Sequence, residues 1–182
     1  MKMALLVIDM LNDFVKPGGS LRVERAEHII PKLKALLGWA RQKGIPVIYA
    51  CDAHIRGVDA ELALWGDHAI EGTWGAQVID ELKPQEGDFV VKKRRYSAFF
   101  GTDLDLLLRE LSVDTLMLTG LVTNVCVQHT AADAFFRGYK LIVVRDCCEA
   151  LSAEDHERAL EYMRTVYGAQ IRTSEELMAS SP

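Results

Sequence analysis

Several polar side chains stand at or just past the ends of apolar, strand-like runs: Asp9, Asp52 with His54, Lys93, Cys126 and Asp146. In open α/β sheets, ligands bind beyond the carboxyl ends of the strands, so such residues are expected to share one rim. Cys126 lies in Thr119-Gly120-Leu121-Val122-Thr123-Asn124-Val125-Cys126, where a strand turns through a short loop into a helix. A thiol in the first helical turn faces the positive end of the macrodipole, which is expected to lower its pKa. Exposed backbone N–H groups at the same place can stabilise an oxyanion. On base rates alone a cysteine is more often a buried structural residue. Asp9 closes Leu6-Val7-Ile8-Asp9, and a carboxylate there is costly to bury without a partner. It can cap a loop, or serve as a base near the thiol. Lys93 ends an apolar run before Arg94-Arg95-Tyr96-Ser97-Ala98-Phe99, where a lone lysine would ordinarily be solvated. Taken together the three describe a Cys–Asp–Lys site. The acid takes the thiol proton, and the ammonium favours both thiolate and carboxylate.

Positioning these groups requires strands that end at one edge. Short β-rich runs alternate with longer stretches of helical periodicity, the pattern of an α/β fold with a parallel sheet. Strands are expected at Met3–Asp9, Ile45–Ala50, Asp88–Lys93, Thr115–Gly120, Lys140–Asp146 and Ala169–Thr173. Helices are expected over Ala26–Lys43, Gly75–Glu81, Asp103–Leu111, Asn124–Arg137 and Ala153–Tyr167. Gly44, Gly138 and Gly168 follow helical patterns and precede strands, as helix-terminating glycines do. The connection from Asp52 to Trp74 has no clear period but is rich in His, Trp, Gly and acids, the mark of a functional loop.

The chain has 182 residues, 49% hydrophobic and 26% charged, with a formal net charge of −5. That composition fits a single domain over residues 1–182. With no Lys/Arg-rich stripe to offset the charge, nucleic acid and anionic membrane are excluded as main partners. No stretch has the apolar length to span a bilayer, and the first residues lead into a strand without a signal-peptide pattern. A cytoplasmic location is therefore expected, with Cys51, Cys126, Cys147 and Cys148 reduced. His129 and the Cys147-Cys148 pair read as packing residues, and Thr102-Asp103 as a helix cap.

Three blocks carry a resemblance. They are Val7-Ile8-Asp9-Met10-Leu11-Asn12-Asp13-Phe14, Lys93-Arg94-Arg95-Tyr96-Ser97-Ala98-Phe99-Phe100-Gly101-Thr102-Asp103-Leu104, and Gly120-Leu121-Val122-Thr123-Asn124-Val125-Cys126-Val127. In this order, on matching strand ends, the chain resembles the isochorismatase-like cysteine hydrolases from Met3 to about Thr173. These include nicotinamidases, N-carbamoylsarcosine amidohydrolases, ureidoacrylate hydrolases and isochorismatases. The resemblance implies a three-layer α/β sandwich around a mainly parallel, Rossmann-like sheet, and a homo-oligomer. It implies Asp9 as general base, Lys93 as electrostatic partner and Cys126 as nucleophile. It also implies a cis peptide at Leu121–Val122 that aims the Val122 and Cys126 N–H groups at one oxyanion. The reaction implied is hydrolysis of a small-molecule amide through a thioester.

Nicotinamidases bind a divalent metal through Asp-x-His and a later His. Here the resemblance assigns those positions to Asp52, His54 and His68, which would suit zinc, iron or manganese. The alternative is that both histidines are hydrogen-bonding residues of the loop, as metal-free relatives retain similar ones. Phe14 and Trp65 occupy positions where nicotinamidases stack the pyridine ring, and packing at a loop boundary is the other reading of both. Two departures bear on the substrate. The further histidine of some nicotinamidases is replaced by the Val58-Asp59-Ala60-Glu61 region, and Trp-Pro-x-His-Cys reads Trp65-Gly66-Asp67-His68-Ala69. Metal-independent hydrolysis of a ureido or carbamoyl substrate is thus an alternative. A non-enzymatic module on the same fold is a second, opposed by the intact Asp–Lys–Cys set.

Overall fold

Six runs rich in β-branched and aliphatic residues become strands: β1 (Met3–Ile8), β2 (Val47–Asp52), β3 (Phe89–Lys93), β4 (Thr115–Leu121), β5 (Lys140–Glu149) and β6 (Gln170–Arg172). In the computed structural model, which describes residues 1–180, they form one sheet in the order β3-β2-β1-β4-β5-β6. Every neighbouring pair is parallel. The helices are α1 (Asn12–Val15), α2 (Ile30–Gln42), α3 (Glu61–Trp65), α4 (Leu104–Glu110), α5 (Gln128–Phe136), α6 (Ala153–Tyr167) and α7 (Ser174–Ala179).

Parallel strands buried on both faces need apolar residues at every position, and β1 shows how these are shared. Ala4, Leu6 and Ile8 pack into a layer with Leu108 of α4, Ala131 of α5 and Leu160 of α6. Leu5 and Val7 point the other way, toward Leu33, Leu36 and Leu37 of α2 and Leu177 of α7. Each such leucine contributes about 2 kcal/mol of transfer free energy. These two cores are what allow the strand ends to carry buried charge.

α6 illustrates the local logic. Ser152 accepts a hydrogen bond from Asp155 N–H at its start, and His156, Ala159, Leu160 and Met163 form its buried stripe. Gly168, at φ +65°, closes it in the left-handed region. Among the described residues no helix is long and apolar enough to cross a membrane.

Five expectations need correction. No helix spans Gly75–Glu81. Two short 3-10 turns, Trp74–Ala76 and Asp80–Leu82, flank Val78, which bridges antiparallel to Leu11. The Gln77 carbonyl accepts from Asn12 N–H and Ile79 N–H donates to the Met10 carbonyl, both bonds that a helix would need for itself. The helix expected from Ala26 begins as a 3-10 turn over Glu24–Ile29, and α2 follows with a proline in its first turn. The helix expected from Asn124 begins instead with a π-type turn, Thr123–Val127. Finally, β5 runs on to Glu149, so Asp146 lies inside a strand. Its carboxylate accepts from the Ser174 N–H and hydroxyl, both at 2.7 Å, and so anchors α7 rather than joining the rim. The Asp103 side chain makes no cap at α4; the Thr102 hydroxyl accepts from Leu104 N–H at 3.2 Å instead.

Candidate active site

The strand order reverses between β1 and β4, and the chemistry collects there. Asp9 follows β1 with φ +53°, unusual for a residue with a side chain, and turns its carboxylate back into the interior. Asp52 and Lys93 are the last residues of β2 and β3, paired in register. Cys126 sits on the π-type turn after β4. Gly120 makes the approach possible. It pairs with Ile8 at φ +110°, and a Cβ there would stand 2.0 Å from the Ile8 carbonyl oxygen.

Lys93 is the hub and is 1% exposed. Its Nζ lies 2.6 Å from Asp52 Oδ1, 2.9 Å from Asp9 Oδ2, 3.1 Å from the Arg95 carbonyl oxygen and 3.5 Å from Cys126 Sγ. Burial alone would depress the ammonium, but the charges of Asp52 and then Asp9 outweigh it and hold its pKa well above the usual lysine range. The two acids differ. Burial and the neighbouring Asp52 charge push Asp9 up to about 6. Asp52 is buried too, yet Lys93 and His54 outweigh that effect and hold it below the ordinary value. Asp9 Oδ1 accepts from Asp52 N–H at 2.8 Å, whereas Oδ2 has no aligned donor.

For Cys126 the expectation of a lowered pKa is overturned. The thiol is buried, and desolvation drives its pKa well up against the pull of Lys93, with Asp9 and Asp52 raising it further. The resting group is therefore a thiol that must give up its proton to a neighbour. The Leu121–Val122 peptide just before the turn is cis. His156 of α6 meets Thr123 Oγ1 at 2.7 Å and pins the turn from behind. His129 bonds the Val125 carbonyl and stacks against Tyr96, outside the cluster.

A second cluster adjoins the first. Asp52, His54, Glu61 and His68 are all buried, and each offers a donor atom within 4.8 Å of the others. Sequence reasoning found three of these and missed Glu61, because the region that departs from the nicotinamidase pattern folds into α3 and turns this acid inward. An acid at the start of a short amphipathic run was the available signal. Asp59 was missed as well: its Oδ2 lies 2.9 Å from His54 Nδ1, and Arg94 Nε donates to its Oδ1 at 2.9 Å. His68 Nδ1 meets the Gly66 carbonyl oxygen at 2.8 Å. Both histidines therefore turn Nε2 toward the cluster, the arrangement that fixes a ligand's tautomer. His54 Nε2 and Glu61 Oε1 are buried without a hydrogen-bond partner. Orphaned donor atoms with mixed oxygen and nitrogen chemistry fit a divalent transition metal. Burial alone would depress His54, but the carboxylates of Asp52 and Glu61, 3.5 and 3.4 Å from Nε2 without hydrogen-bond alignment, push it up to about 10.

Between the clusters and solvent lies a cavity of about 350 Å³. Asp9 and Cys126 are at its floor, and Phe14, Trp65, Val122 and Tyr96 are among its walls. Trp65 is 48% exposed and donates Nε1–H to the Tyr96 hydroxyl at 3.1 Å. Phe14 and Trp65 thus both line this cavity. Tyr96 was not assigned a role from sequence, although it lies in the second motif block.

A parallel sheet with a thiol, an ammonium and two carboxylates at its switch point defines an α/β cysteine hydrolase. The isochorismatase domain pattern matches residues 3–176, and the chain belongs to that family of hydrolases. It is similar to the structure of an isochorismatase-like hydrolase from Alkaliphilus metalliredigens, with a TM-score of 0.93, 41% identity and 98% of each chain covered. N-carbamoylsarcosine amidase from Thermoplasma acidophilum aligns with a TM-score of 0.89 and 40% identity over 96% of this chain and 98% of that one. Nicotinamidase PncA from Bacillus subtilis gives a TM-score of 0.90 and 36% identity over 94% and 99%.

Proposed function

We propose that this hydrolase cleaves a small, planar carboxamide in the manner of a nicotinamidase, through a thioester on Cys126. The observation that carries this reading is the placement of the buried Lys93 Nζ 2.9 Å from Asp9 and 3.5 Å from Cys126, the two groups at the floor of the cavity. Asp9 takes the thiol proton, and Cys126 Sγ attacks the carbonyl carbon. The N–H groups of Val122 and Cys126 hold the oxyanion. Protonated Asp9 then passes its proton to the leaving ammonia. The carboxylate so regenerated activates water, which releases the acid and restores the thiol. Lys93 stays charged throughout and favours the ionised form of whichever partner has lost its proton.

Asp9 is chosen over Asp52 as base on physical grounds. Asp52 is held ionised between Lys93 and His54, while Asp9 is the weaker acid and keeps one oxygen without an aligned donor. Phe14 and Trp65 would clamp the ring. Asp52, His54, Glu61 and His68 would hold a divalent ion such as zinc, iron or manganese, which when bound supplies a Lewis acid to orient the substrate's own donor atom. We place the enzyme in the cytoplasm and expect copies of it to associate; its mass in solution would test the latter.

A second reading has an observation of its own. Arg22 lines the same cavity, a cation suited to the carboxylate of a ureido or carbamoyl acid. The test is kcat/KM for nicotinamide, N-carbamoylsarcosine and ureidoacrylate, before and after chelation. Nicotinamide turnover lost on chelation supports the first reading. Chelator-resistant cleavage of the ureido acids alone supports the second.

A further inference from the structure

Asp13 touches none of the reacting groups, yet it joins three segments that build the site. Its Oδ1 accepts from Ser20 N–H at 3.1 Å and its Oδ2 from Ala69 N–H at 2.8 Å. Its main-chain carbonyl accepts from Leu21 N–H at 3.1 Å. Ser20 and Leu21 belong to the cavity wall, and Ala69 directly follows His68. Ala69 is fully buried at φ +44°, a left-handed conformation that alanine holds only when its surroundings enforce it. The Ala69 carbonyl accepts from His54 N–H at 2.9 Å, and Glu71 N–H returns a bond to the His54 carbonyl at 3.0 Å. The residue whose amide Asp13 captures therefore also fixes the main chain of His54. On its remaining side the carboxylate rests against Gly75. A Cβ there would stand 2.0 Å from Asp13 Oδ2 and 2.2 Å from Cγ.

We propose that Asp13 is a positioning residue. Its carboxylate sets the His68 loop against His54 and the Ser20–Val23 wall against the cavity, and Gly75 is kept small to leave it room. The metal arm of this inference rests on the cation reading of Asp52, His54, Glu61 and His68; the cavity arm does not. An asparagine at position 13 keeps the shape but presents an NH2 group to one of two N–H donors, so one bond must fail. An alanine at position 75 retains the carboxylate but displaces it.

The test compares wild-type protein, Asp13→Asn and Gly75→Ala, each stripped of metal. Zn2+ affinity is measured by competition with a chromophoric chelator, together with amide hydrogen exchange resolved over residues 19–23 and 66–71 and with thermal unfolding. Both variants are expected to lose affinity about 10- to 100-fold, the size seen when a ligand's supports are removed. Faster exchange should be confined to the two segments. Unchanged exchange there, or a rise spread evenly over the chain with the loss of Tm, overturns the proposal. A wild-type protein that takes up no Zn2+ sinks the cation reading, and exchange at Ser20 and Ala69 still decides the role of Asp13.

Discussion

At the scale of single residues, the site turns on how two buried acids share one buried ammonium. Lys93 stands between Asp9 and Asp52, and each ion's desolvation costs several kcal/mol that only close contact repays. The contacts split the roles: Asp52 also faces His54, while Asp9 borders the thiol and keeps one oxygen free of an aligned donor. Asp9→Asn should lower kcat by about 100- to 10,000-fold and leave metal affinity near wild type. Asp52→Asn should weaken metal binding first. Steady-state kinetics beside a metal titration of each variant checks this, and the reverse pattern would exchange the two assignments. Asp9 and Lys93 were legible because each closes an apolar run and Cys126 because it opens a helix after one, and the resemblance over three sequence blocks joined them into one set. Glu61 and Asp59 were not, since their inward aim depends on α3 and on the His54–Ile70 bridge, both of which form only in the tertiary fold.

At the scale of elements, two features hold the nucleophile's turn. Gly120 lets β4 pass close to β1, and the atom an added methyl would strike is backbone, which cannot swing aside. Gly120→Ala should cost about 3 kcal/mol and be visible as a lowered denaturation midpoint; an unchanged midpoint would mean that β4 can shift at no cost. The second feature is His156, buried against Thr123 and pushed below the ordinary histidine range by burial, against the raising effects of Glu149, Glu157 and a hydrogen bond with the Arg145 backbone. The fold therefore binds this proton less well than the unfolded chain does. Its contribution is complete above about pH 6.5, the unfolded value, and declines as pH falls toward the depressed folded value. Tm measured from pH 8 to pH 5 should show the wild type losing its advantage over His156→Gln on the acid side. A constant difference would show that the imidazole does not titrate there. The π-type turn itself was not legible in the sequence: the periodicity of 124–137 is helical, and only the route from β4 imposes the wider first turn.

For the whole molecule, alternation of apolar runs and helical stretches was enough to read the α/β class, and the expected rim is real except for Asp146, which the extension of β5 carries into the sheet. The Gly75–Glu81 segment was misread because its hydrogen bonds go to residues 10–12, far back in the chain, which local periodicity cannot report. What the architecture accomplishes is to bring residues 9, 52 and 126 from three strand ends to one cavity floor, with Lys93 from a fourth buried against all three, between two apolar cores. The most direct test is intact-protein mass spectrometry of samples quenched in acid during turnover of the carboxamide most rapidly cleaved. The account predicts an acyl increment localised to Cys126, missing from Cys126→Ala, which should be folded and inactive. Substrate consumed by Cys126→Ala at a substantial rate, or an acyl group borne on another residue, would contradict it.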